Sequence, residues 1–202
     1  MMKILLDNGH GNDTKGKYSP DKRLYEYRYA REIAERVEKE LRARGYDVER
    51  IVPELNDISL IERTRRVNNI CNQVGAKNCV LVSIHCNAAG GDGKWHDAKG
   101  FSVFVSKNAS TNSKRLAAIF TDDAKTHNLL GNRVVPKEKY WTWSWTNADI
   151  YILKNTKCPA VLTENFFQDN KEDVDYLLSE YGKATITKLH VDAITKYVNS
   201  QA

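Results

Sequence analysis

Proline is scarce in this sequence, with four residues in 202, and no run of apolar residues exceeds a few positions. A membrane-spanning helix needs about twenty consecutive apolar residues, so no such span is expected. Cys71, Cys79, Cys86 and Cys158 form no C-x-x-C pair, which argues against a zinc ribbon and a thiol redox motif. Their apolar neighbours make buried free thiols the expected state. Internal repeats and low-complexity tracts are missing, and no linker divides the chain. A single domain over residues 1–202 is therefore expected. The start, Met1 to Asp7, holds too short an apolar stretch for a secretory signal. The expectation is a protein that begins in the cytoplasm, or one whose signal has been removed.

Hydrophobic residues make up 41% and charged residues 28%, a balance that excludes disorder as the main state. The formal net charge is +5. It suits an acidic polymer or plain solubility, but the basic residues are not gathered into one run. With no recognisable nucleic-acid motif, a nucleic-acid partner is not expected.

Strand and helix patterns alternate along the chain, predicting an α/β domain: a mixed, mostly parallel twisted sheet flanked by helices. Strands are predicted at Lys3 to Asp7, Asp47 to Val52, Val80 to Cys86, Phe101 to Ser106, Ile150 to Leu153 and Ala160 to Thr163. Helices are predicted from about Asp21 to Arg44, Ser59 to Ala76, Asn112 to Leu130 with Gly131 as its stop, Lys171 to Leu178, and Lys183 to Val198. Ser59 and Glu62 have the spacing of a capping box.

Open α/β sheets place ligands at the carboxyl ends of their strands. His10, in Asn8-Gly9-His10-Gly11, follows the first strand; His85 and Glu164 end two others. Gly9 and Gly11 let the backbone approach a neighbouring group closely. Glu26 shares a helical stripe with Ala30, Ile33, Val37 and Leu41, so its carboxylate faces the core. Such a carboxylate needs a partner. Either it meets a cation or it caps the helix start.

Two imidazoles and a carboxylate are a known zinc set that leaves a fourth position for water. Each histidine taken alone is more often a structural side chain; the conjunction favours a metal. His96, in the Gly-rich loop, could reach such a site. His127 lies near the inner stripe of its helix, and His190 lies within the last helix. Arg63 shares a stripe with Leu60, Val67 and Ile70, so its guanidinium is expected to anchor a buried carboxylate as a structural salt bridge.

These segments, in order, resemble the zinc-dependent N-acetylmuramoyl-L-alanine amidases of the type 3 family. Asn8-Gly9-His10-Gly11 resembles the family's G-H-G element, and Glu26 its helix-borne glutamate. Leu60-Ile61-Glu62-Arg63 through Asn68 is similar to its L-x-E-R-x-x-x-x-N helix, and Ser83-Ile84-His85-Cys86-Asn87-Ala88 to its S-I-H-x-N-A element. Pro159 to Glu164, with Phe167, Asn170, Asp173 and Leu177, matches its closing segment. Gly90 to Lys99 and the Trp-rich stretch after Gly131 follow no such pattern and are expected to shape a substrate groove.

The resemblance implies that His10, Glu26 and His85 bind one Zn²⁺ per chain and that Glu164 is catalytic. The implied partner is peptidoglycan or a muropeptide, cut between N-acetylmuramic acid and L-alanine, so the protein is expected to act on the cell wall, as a monomer. Another zinc peptidase or deacetylase, or a non-catalytic peptidoglycan binder, would share much of this pattern. Tyr140, Trp141, Trp143, Trp145 and Tyr151 either stack on sugar or peptide, or pack a folded loop onto the domain.

Overall fold

A computed structural model of the chain describes residues 2–130 and 150–201. The Trp141–Trp145 expectation lies outside these residues. The described elements are β1 (Lys3–Asn8), α1 (Glu26–Ala43), β2 (Asp47–Arg50), α2 (Leu60–Val74), a 3₁₀ turn (Ala76–Asn78) and β3 (Cys79–Asn87). They continue with β4 (Ser102–Phe104), α3 (Thr111–Thr126), α4 (Tyr151–Asn155), β5 (Ala160–Phe167), α5 (Lys171–Leu178) and α6 (Glu180–Asn199).

Apolar residues at both parities along the central strands predict a sheet covered on both faces, and that is its form. The strand order is β2-β1-β3-β5-β4. All pairs are parallel except β4 with β5, which is antiparallel. Ile4, Leu6, Val80, Val82, Ile84 and Val161 pack on one side with residues of α1, α3 and α6. Leu5, Leu81, Ala160 and Leu162 pack on the other with Val67 and Cys71 of α2 and Ile152 and Leu153 of α4. The expected α/β class and mostly parallel sheet are observed. All four cysteines are buried and free. No helix among the described residues is long and apolar enough to cross a membrane.

Several boundaries differ from the sequence expectation. Helix α1 begins at Glu26 rather than near Asp21. The Asp21 carboxylate instead accepts from Ser19 Oγ at 2.7 Å and from the Arg23 amide at 3.1 Å, and Lys22 has φ 58°, so a turn occupies this stretch. Helix α3 stops at Thr126 instead of Leu130, because Asn128, with φ 54°, takes the left-handed role expected of Gly131. Strands β2 and β4 are shorter than expected, and α6 starts earlier, where Ser179 Oγ accepts from the Gly182 amide at 2.9 Å.

Ile150 to Leu153 is the one change of type: the predicted strand is part of helix α4. A four-residue apolar run carries no decisive period. Asn155 Nδ2 donates to the Tyr151 carbonyl at 2.8 Å and Thr156 Oγ1 to that of Ile152 at 2.9 Å, closing the turn. Ser59 does cap α2, accepting from the Glu62 amide at 3.2 Å. The Glu62 carboxylate, however, binds Arg65 and Arg66.

His190 is a structural histidine. It is fully buried in α6, with Nδ1 2.8 Å from the Ile186 carbonyl and Nε2 2.9 Å from Thr163 Oγ1. The carbonyl can only accept, so Nδ1 carries the proton and neutral Nε2 accepts from the threonine. Burial pushes its pKa down to about 4. A depressed pKa means its stabilising contribution is complete above the unfolded value of about 6.5 and is lost as pH falls towards 4. Relative to His190→Gln, the wild type is therefore expected to lose on the order of 3 kcal/mol across that window. Urea denaturation of both proteins from pH 7 to pH 4 checks this; a constant difference would contradict it.

Candidate metal centre

The site forms near the carboxyl ends of β1 and β3 and at the start of α1, beside the middle of β5, which continues to Phe167 rather than ending at Glu164 as expected. Parallel register pairs Asp7 with Ser83 across β1 and β3, and His85 with Glu164 across β3 and β5. Strand alternation then puts Ser83, His85 and Glu164 on one face. β1 turns at Gly9 and His10, the latter with φ 59°. A Cβ on Gly9 would lie 2.4 Å from the His85 ring, so only glycine lets this backbone pass so near the imidazole. The close approach expected of Gly9 is thus observed. At Gly11 the neighbour is the backbone of Asp57, 2.0 Å from an added Cβ.

Glu26 is the first residue of α1 and is 1% exposed. Ala30, Ile33, Val37 and Leu41 of its stripe are buried as well. Its side chain does not cap the helix. Instead Oε1 lies 3.1 Å from His85 Nδ1, 3.4 Å from His10 Nε2 and 3.1 Å from the Cys86 amide, which donates to it. Among the described residues Oε2 has no hydrogen-bond partner. Burial works to raise the carboxyl's pKa, but the bonds from His10 and His85 outweigh it and hold the group below the usual carboxylate range. Burial likewise disfavours charge on His85, yet Glu26 and then Glu164 raise its pKa above the ordinary value.

The His10, Glu26 and His85 ligand atoms all lie within 4.8 Å of one another. Ligand bonds of about 2.0–2.1 Å to a tetrahedral zinc set neighbouring donors roughly 3.3 Å apart. The 3.1 and 3.4 Å spacings match that edge. Two imidazoles, a buried carboxylate and an unpartnered carboxylate oxygen therefore fit a zinc ion. Glu164 stands beside this group. Desolvation, reinforced by the Glu26 charge and opposed by His85 and Lys17, raises its pKa to about 7. Its Oε2 is also buried without a partner among the described residues.

Arg63 is 2% exposed and makes the salt bridge expected of it. Nη1 donates to Asp7 Oδ1 at 2.6 Å and the Asn8 carbonyl at 2.7 Å; Nη2 donates to Asp57 Oδ1 at 2.9 Å and the His10 carbonyl at 3.3 Å; Nε donates to the Ile58 carbonyl at 2.6 Å. The guanidinium thus fixes the turn that carries His10.

His96 does not join the ligand group: its Nε2 lies 2.9 Å from Asp92 Oδ1. His127 is exposed at the end of α3 rather than near an inner stripe, because the helix has already ended there. The Gly-rich loop is fastened to the β5 end, where Asp169 accepts from the Ala89 and Gly90 amides at 2.8 and 2.9 Å. Between this loop and Tyr18–Pro20 lies a cleft of about 330 Å³, also lined by Gln168 and Asp169. Sequence reasoning did not find Asp7, Ser83, Asp57, Lys17 or Asp169. A polar residue inside the apolar runs Ile4-Leu5-Leu6-Asp7 and Val80-Leu81-Val82-Ser83 was the available signal for the first two.

The chain resembles known proteins along its whole length. It is 28% identical to an endolysin of Bacillus phage SPP1 over 97% of this chain and 66% of that protein. It is 26% identical to the N-acetylmuramoyl-L-alanine amidase CwlM of Bacillus licheniformis, over 98% of this chain and 70% of that one. The chain thus spans about two thirds of these relatives' length. The fold is shared with an N-acetylmuramoyl-L-alanine amidase from Clostridium difficile 630, at TM-score 0.78 and 22% identity over 100% of this chain and 98% of that one. It is shared too with Ami1 from Mycobacterium smegmatis, at TM-score 0.81 and 19% identity over 98% and 97%. The model of the Amidase_3 family, described as N-acetylmuramoyl-L-alanine amidase, matches residues 4–196, and the chain belongs to that family.

Proposed function

We propose that the protein is a zinc-dependent hydrolase that cuts the amide between N-acetylmuramic acid and L-alanine in peptidoglycan. The observation that carries this reading is the buried Glu26 carboxylate held between His10 and His85, with Glu164 beside it. The family and the printed names of the relatives support the choice of bond.

His10, Glu26 and His85 would hold one zinc ion per chain. When bound, zinc polarises an amide carbonyl and makes water a competent nucleophile near neutral pH. The remaining work falls to the chain. Glu26 supplies one negative charge, so the centre keeps net positive charge for a developing oxyanion. Glu164 takes a proton from the attacking water on its carboxylate and delivers it to the departing amine of L-alanine. Burial raises its pKa above the ordinary carboxylate value, which favours its holding the proton between the two halves of that transfer.

Digestion of purified peptidoglycan tests the reading. New L-alanine N-termini and lactyl carboxylates are expected by mass spectrometry, lost in chelator and restored by zinc. Full activity in chelator would overturn the metal role. Products cut within the stem peptide, or deacetylated glycan, would overturn the bond assignment.

A further inference from the structure

Behind His85 runs a chain of buried hydrogen bonds whose direction can be read from donor counts. His85 Nε2 lies 3.1 Å from Ser83 Oγ, and Ser83 Oγ lies 2.5 Å from Asp7 Oδ2. Asp7 Oδ1 in turn accepts from Arg63 at 2.6 Å. Ser83, Asp7 and Arg63 are at most 2% exposed, so bulk water does not compete. A hydroxyl has one proton. The Arg63-paired Asp7 carboxylate can only accept, so the serine proton goes to Asp7. Ser83 Oγ is then left as an acceptor towards His85, and Nε2 of the imidazole must be the donor.

We infer that Ser83 and Asp7, anchored by Arg63, are positioning residues that fix the His85 proton on Nε2 and so keep Nδ1, the atom facing Glu26, available to a cation. The inference rests on the metal reading above and deepens it. Without the relay, the imidazole is free to place its single neutral-form proton on Nδ1, and that form cannot ligate from Nδ1. Partners on the far nitrogen of a ligating histidine typically change metal affinity by about 10–100-fold.

The isosteric change Asp7→Asn is the sharpest test, because it can reverse the relay without emptying space. An amide facing Ser83 donates to Oγ, and the serine proton is then free to turn to Nε2. Zinc affinity, measured by competition with a chromophoric chelator, is expected to fall by about 10–100-fold in Asp7→Asn and in Ser83→Ala. Ser83→Thr, which keeps the hydroxyl, should restore most of it. In ¹⁵N-resolved spectra of the wild type, His85 Nε2–H should appear as an exchange-protected proton in both metal-free and zinc-loaded protein. It should be lost or unprotected in both weakened variants. A purely structural role for Ser83 and Asp7 would lower the melting temperature without moving that proton.

Wild-type affinity with a retained Nε2–H in Asp7→Asn overturns the inference. So does a wild-type protein lacking a protected Nε2–H, a result that needs no variant to fold. A wild type that takes up no zinc overturns the metal reading instead, and the Nε2–H signal of the metal-free protein then decides the relay by itself.

Discussion

Glu164→Gln is expected to lower kcat on peptidoglycan by at least about 10²-fold, the usual scale for a general acid–base group, while zinc uptake stays at one per chain. Glutamine preserves the volume but has no basic oxygen to receive the proton of water. Folding should not suffer. Desolvation already disfavours charge on Glu164, so a neutral amide removes an unfavourable burial rather than a supporting contact. The melting temperature should be unchanged or slightly higher. Activity of the wild type should fall as pH drops through the Glu164 pKa, since the carboxylate is the working form; a bound cation nearby moves that limb below the value of about 7 found without it. Glu26→Gln should behave differently, weakening zinc binding itself. Kinetics together with metal analysis separate the two: equal loss of zinc in both variants would undo the division between ligand and base.

Arg63→Met is expected to cost about 3–5 kcal/mol, the range for removing one partner of a buried ion pair. Five bonds from the guanidinium disappear, and Asp7 is left buried with only Ser83. The turn bearing His10 also loses its tie to Asp57 and Ile58. Arg63→Lys should recover only part of the loss, because one ammonium cannot donate in all these directions. The double variant Asp7→Leu with Arg63→Met should be more stable than Arg63→Met alone, since no unpaired charge remains inside. It should still bind zinc poorly, because the acceptor behind Ser83 is gone. Chemical denaturation and chelator competition on the same samples report the two effects independently.

The four residues that meet at the candidate site stand out in the sequence for simple reasons. His10, His85 and Glu164 stand where apolar strand runs stop, and Glu26 breaks an otherwise apolar helical stripe. Gly9 beside His10 signalled a close approach, and the His85 ring is what approaches. Asp7 and Ser83 stayed hidden because their meeting depends on register between parallel strands far apart in sequence, which no local pattern encodes. The Ile150–Leu153 error has the opposite origin. Local pattern was all there was, and four apolar residues fit a buried strand and a short helix equally. At the end of α3 the stop was read at the wrong residue: asparagine tolerates the left-handed region, and Asn128 takes it.

Among the described residues the margins of the sheet are its shortest strands, β2 with four residues and β4 with three. β2 also carries Asp47, Glu49 and Arg50, with Lys3 of the adjoining strand paired to Asp47 and Glu49. An incoming strand from another molecule would find little ladder to extend and charge to desolvate, which is how natural sheets avoid edge-to-edge aggregation. If the proposed function holds, the protein gathers on the surface of an insoluble polymer at high local concentration. These brief margins, with charge along β2, favour molecules that crowd there as separate particles instead of fusing into shared sheets.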